Sequence, residues 1–148
     1  MTVREEIFQA LIAAANAGVS APDPLVEEDR GIESLVGDHG AITASKAEDL
    51  GERISPGGAV YKRTLIVTFS VRTKAAADNT ETAGARLEPL LERLTAKLGG
   101  SRLGGLVLEA LEPRIKFEVV QGDVRVARAT VFVAARYQQL VNDATRRV

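Results

Sequence analysis

The chain contains no cysteine. That absence removes disulfides, iron–sulfur clusters, thiolate zinc sites and any cysteine nucleophile. Histidine occurs once, at His39, so one chain cannot build a multi-histidine metal site. Aromatics are few: phenylalanine at 8, 69, 117 and 132, and tyrosine at 61 and 137. Platforms for stacking nucleic-acid bases are correspondingly scarce. The longest uninterrupted apolar run covers residues 10–15, far short of the roughly 20 that span a bilayer. The opening residues carry Glu5 and Glu6 and show no basic stretch followed by an apolar one, so no signal peptide is expected. Synthesis in a cytoplasm, with no membrane partner, is the expectation.

What is present is the composition of a globular domain. The 148 residues are 45% hydrophobic and 26% charged, enough for one core without staples. Charge is unevenly placed. Residues 1–60 hold 4 Lys or Arg against 11 Asp or Glu, net −7, and residues 61–148 hold 15 against 9, net +6. Such a split can mark a nucleic-acid surface, an acidic tail, two faces that attract each other between copies of one protein, or simply scattered solvated charge.

Residues 3–17 read as a helix. Thr2 and Glu5 have capping-box spacing, Val3, Ile7, Phe8, Leu11, Ile12 and Ala15 form one apolar stripe, and Gly18 follows as a stop. Periodicity is then lost across 19–60, which is rich in glycine, proline and acid. Ser45 and Glu48 there suggest one short helical turn at most. This segment is expected to be a long irregular arm, flexible or ordered by a partner. Leu65, Val67, Phe69 and Val71 alternate with polar residues and predict a strand, and Ile66 on its other face suggests partial cover there too. Leu87, Leu90, Leu91, Leu94 and Leu98 predict a helix, capped by Asp78 or Thr80 and ended by Gly99 and Gly100. Pro89 predicts a kink or a restart at Glu88. Residues 106–111 are apolar but too short to classify, and Pro113 permits an edge strand or a strand start. Two alternating stretches, 115–119 and 124–137, flank Gly122 and Asp123 and predict a hairpin, with a change of phase at Ala127 and Arg128 that suggests a bulge or a twist. Residues 138–148 read as a loose polar tail.

The order predicts one α+β domain over 1–148. It has two layers: a mostly antiparallel four-stranded sheet and two main helices covering it, with the arm between the first helix and the first strand.

Chemistry-bearing motifs are sparse. In the run Gly99, Gly100, Ser101, Arg102, Leu103, Gly104, Gly105, the last glycine stands where a phosphate-binding loop needs lysine. Ser101 lacks the following glycine of a serine elbow. His39 lies in the arm with no nucleophile near it in sequence, and Glu109 and Glu112 read as solvated carboxylates. Phe132 shares a face with Arg136, the one hint of a base-stacking surface. No catalytic residue, cofactor or metal ligand is assigned.

The block 62–137 runs from Lys62-Arg63-Thr64-Leu65-Ile66-Val67-Thr68-Phe69 through a leucine-striped helix to Ala129-Thr130-Val131-Phe132-Val133-Ala134-Ala135-Arg136-Tyr137. With the opening helix and the arm, this order resembles the tail terminator (tail completion) proteins of long-tailed bacteriophages, and it is similar to neck proteins of the same virions. The resemblance implies a non-enzymatic virion subunit that closes into a homo-oligomeric ring of six on the end of the tail tube. Its implied partners are the tail tube protein and a head-completion or connector protein, with DNA at most passing through the ring. Glu27, Glu28 and Asp29, and Arg63, Arg72, Arg125 and Arg128, are the candidate contacts of oppositely charged faces. Two alternatives remain: another phage neck, head-completion or tube subunit, and a small α+β ligand-binding or enzymatic domain.

Overall fold

Thr2 starts the first helix by accepting the Glu5 N–H on its hydroxyl at 3.1 Å. Only half of a capping box forms. The Glu5 carboxylate is taken by Lys46 (2.5 Å) and Gln9 (3.0 Å), and these hydrogen bonds lower its pKa. Helix α1 spans Val3–Asn16, and Gly18 follows in the left-handed region at φ 73°. In this computed structural model, residues 1–31, 36–53, 60–76, 80–118, 126–140 and 143–147 are described.

The strands are β1 (Val26–Glu28), β2 (Ala41–Arg53), β3 (Val60–Lys74), β4 (Arg114–Glu118), β5 (Val126–Leu140) and β6 (Asp143–Arg147). The sheet order is β1-β2-β3-β5-β4, with β6 also on β5. All pairings are antiparallel except β1 with β2. Helix α2, Ala83–Leu98, packs on β3 and β5 beside α1. The α+β class and two-layer arrangement hold, but the sheet is larger than four strands and is mixed.

The core lies between the helices and one sheet face. Leu65, Val67, Phe69 and Val71 of β3 and Ala129, Val131, Val133, Ala135 and Tyr137 of β5 are buried there, beneath Phe8, Leu11, Leu91 and Leu94. These residues are in phase because side chains alternate across a strand. Ile66 and Phe132, on the opposite face, are half-buried.

Four expectations need correction. The segment 19–60 is not an irregular arm where it is described, because β1 and the 13-residue β2 lie in it. The helix-facing row of β2 begins with Ile42 and Ala44 and continues with Lys46 and, after a register shift between Lys46 and Glu48, Asp49. Charged residues facing inward erase the apolar alternation that reveals a strand. Ser45 and Glu48 accordingly sit in β2 and not in a helical turn. The 138–148 tail contributes the end of β5 and β6. The bulge at Ala127 and Arg128 is absent, since β3 and β5 pair without a shift from Lys74↔Val126 to Val60↔Leu140. Finally, the α2 cap is Thr82, whose hydroxyl accepts the Ala85 N–H at 3.1 Å; Asp78 is outside the described residues.

Pro89 sits inside an unbroken α2. It removes one main-chain donor and crowds the carbonyl of Ala85, and both residues are exposed, so water can satisfy that carbonyl. Pro89→Ala is expected to stabilise the fold by about 1–3 kcal/mol, read from chemical denaturation.

Residues 106–111 are neither helix nor strand. A short 3-10 turn, Leu103–Gly105, leads into a loop whose Leu108 N–H bonds to the Arg136 carbonyl at 2.8 Å. Val107 and Leu111 are buried beneath it. The loop thus fills the edge of β5 between the stretches paired with β4 and β6.

Candidate functional site

The sequence-based candidates do not converge on one surface. Glu27 and Glu28 are exposed on β1, an outer strand of the sheet. Asp29 follows, donating its N–H to the Ala44 carbonyl at 2.8 Å and accepting the Gly31 N–H at 2.9 Å. Arg63 turns inward to Asp49, with Nε 3.0 Å from Oδ1. Arg72 is only 7% exposed and stands opposite Arg128 in the β3–β5 register. Arg128 lies 3.7 Å from the Glu118 carboxylate. Arg125 is outside the described residues. Two of the basic candidates therefore serve their own subunit's packing.

The basic surface lies elsewhere, on β4 at the other end of the sheet. All five of its residues are exposed, in the order Arg114, Ile115, Lys116, Phe117, Glu118. Arg114 and Lys116 have no ion-pair partner among the described residues. The sequence did carry a signal for this: a proline-led strand with alternating cations and large apolar residues. The fold thus separates the two charge signs by the width of the sheet. The acidic edge is β1 and the basic edge is β4.

A second polar feature is internal. Asp49, at the helix-facing end of β2, accepts hydrogen bonds from Tyr137 Oη (2.6 Å), Arg63 Nε (3.0 Å) and Arg4 Nε (2.5 Å). Its side chain is 10% exposed. The group ties α1, β2, β3 and β5 together as a structural latch. Burial first, and the Asp49 carboxylate second, push the Tyr137 phenol above the ordinary tyrosine range. The folded chain therefore holds that proton at pH values where the unfolded chain releases it. The resulting stability is present below the unfolded value of about 10 and is lost as pH rises past it. Tyr137→Phe is expected to remove this part of the alkaline loss, read as thermal midpoint against pH.

A cavity of about 630 Å³ opens on the sheet face away from the helices. Its lining includes Ile66 and Phe132, with Glu109, Glu112, Arg114 and Arg136 around them. Phe132 and Arg136 do share this face, but Arg136 is 3.3 Å from the Glu109 carboxylate. Paired charge and two carboxylates disfavour a phosphate backbone there. Among the described residues no three His, Asp or Glu side chains are grouped as metal ligands, and no described helix is long and apolar enough to cross a membrane. His39 lies in the turn before β2, away from this cavity.

No protein-family model matches the chain, and no curated protein matches it.

Proposed function

We propose that the chain is a virion structural protein that caps the end of a phage tail tube as a ring, stops tube polymerisation and presents a docking surface to the head. The observation that carries this reading is the placement of opposite charge on the two outer strands of one sheet, β1 acidic and β4 basic. A subunit with unlike ends makes a heterologous contact with its neighbour, and such contacts close into rings when the rotation per subunit closes. Six is the ring order proposed. The tube end and a head-completion or connector protein are its partners, DNA passes through the opening at most, and no catalysis or cofactor is assigned.

The reading is tested on tube growth. Tail-tube subunits polymerising in solution are followed by light scattering as this protein is added. Arrested growth at about one ring's worth of protein per tube end supports the reading. Growth that continues at a large excess of protein removes it and promotes the neck, head-completion or tube-subunit alternatives.

A further inference from the structure

We propose that β4 of one copy docks against the β1 edge of the next copy, head to tail, so that the sheet continues from subunit to subunit. This rests on the ring reading and names its contact.

The facing of each side chain carries the argument. Arg114 and Lys116 stand opposite Phe132 and Thr130, on the sheet face away from the helices. Glu27 stands beside Thr43, between the core positions Ile42 and Ala44, and so lies on that same face. In a continued sheet, the Glu27 carboxylate of one copy meets the Arg114 and Lys116 cations of its neighbour. Ile115 and Phe117 stand opposite Val131 and Ala129, on the helix-covered face, yet they are 39% and 59% exposed because the helices do not reach that far. Opposite charges thus meet on the face away from the helices, and the neighbour's edge covers Ile115 and Phe117 on the other.

Main-chain groups set the kind of contact. Asp29 gives its N–H to Ala44, so Glu27 and Asp29 aim their main-chain groups at β2, and Val26 and Glu28 aim theirs outward. The Asn16 side chain already occupies both Val26 groups, donating to the carbonyl at 3.0 Å and accepting the N–H at 2.7 Å. Glu28 is left as the open position of β1. The main-chain ladder across the contact is therefore short, carried by Glu28, and side chains must select the partner. Asn16 also protects β1 against indiscriminate strand addition.

The test uses the full chain in sedimentation velocity over a range of concentration and salt. Wild-type protein should associate at low ionic strength and loosen as salt rises. The variants Arg114→Glu with Lys116→Glu, and Glu27→Lys with Glu28→Lys, should each weaken association by about tenfold or more. Mixing the two variants should restore it, because each then offers one complementary edge to the other. Phe117→Ser should weaken association at every salt concentration. Thermal midpoints close to wild type establish that each variant is folded. A wild-type monomer at millimolar concentration in low salt overturns the proposal and makes the β4 charges a means of blunting an edge. Association unaffected by the swaps, or not restored by mixing, overturns it as well. If the swapped variants still arrest tube growth, the edge contact is wrong and the cap stands. If wild type associates as described and tubes grow past it, the cap is wrong and the contact stands.

Discussion

Leu91→Ala is expected to cost the fold about 2–5 kcal/mol, the usual range for a buried leucine replaced by alanine. Leu91 is 1% exposed, midway along the stripe that α2 lays on β3 and β5. Leu87 and Leu94 flank it one turn away on either side, also buried. The truncation therefore leaves a cavity and loses its dispersion contacts outright. Leu50→Ala is the matched control. Leu50 lies on the opposite sheet face, 58% exposed, and its truncation should change stability by no more than about 0.5 kcal/mol. Urea denaturation of both variants checks the pair, and a loss under about 0.5 kcal/mol for Leu91→Ala would place α2 the other way round.

Asp49→Ala is expected to cost about 3 kcal/mol, near the lower end for breaking a buried ion pair. The carboxylate answers three donors at once: the Tyr137 hydroxyl, Arg63 and Arg4. Removing it leaves the Tyr137 hydroxyl inside the core and Arg63, 20% exposed, without its counter-charge. Arg4, at 44% exposure, can return to water, which keeps the loss below the upper range. Asp49→Asn, which retains one acceptor and the volume, should lose less. Because Tyr137 and Asp49 share a hydrogen bond, the double variant with Tyr137→Phe should be non-additive by at least about 0.5 kcal/mol. Additive losses in that cycle would mean the latch does not act as a unit.

The same two regions explain how much of the molecule was legible in its sequence. The stripe of Leu87, Leu90, Leu91, Leu94 and Leu98, and the alternation of Leu65, Val67, Phe69 and Val71, report their own burial because every inward position is apolar. The hairpin of β4 with β5 is legible for the same reason. In β2 the inward row turns from Ile42 and Ala44 to Lys46 and Asp49. Its charges are satisfied by Glu5, Arg4, Arg63 and Tyr137, partners far away in the chain, and a single sequence holds no local trace of that. Strand β1 is short and half its edge is answered by one side chain, Asn16, so it carries little pattern of its own. The acidic half of the candidate surface, Glu27 and Glu28, was legible as a cluster of charge. The basic half is expected on Arg63, Arg72, Arg125 and Arg128, yet Arg63 turns inward to Asp49 and Arg72 is buried on the opposite sheet face, because charge alone does not distinguish a packed arginine from an exposed one. The edge position of β4 brings out Arg114 and Lys116.

The central claim is that the protein ends a tail tube. Electron microscopy of preformed tubes mixed with it, viewed from the side and end-on, addresses that most directly. The account predicts density confined to one end of each tube and, end-on, a closed ring of six subunits around the opening. Decoration along the tube wall, attachment to head connectors alone, or bare tube ends would contradict it.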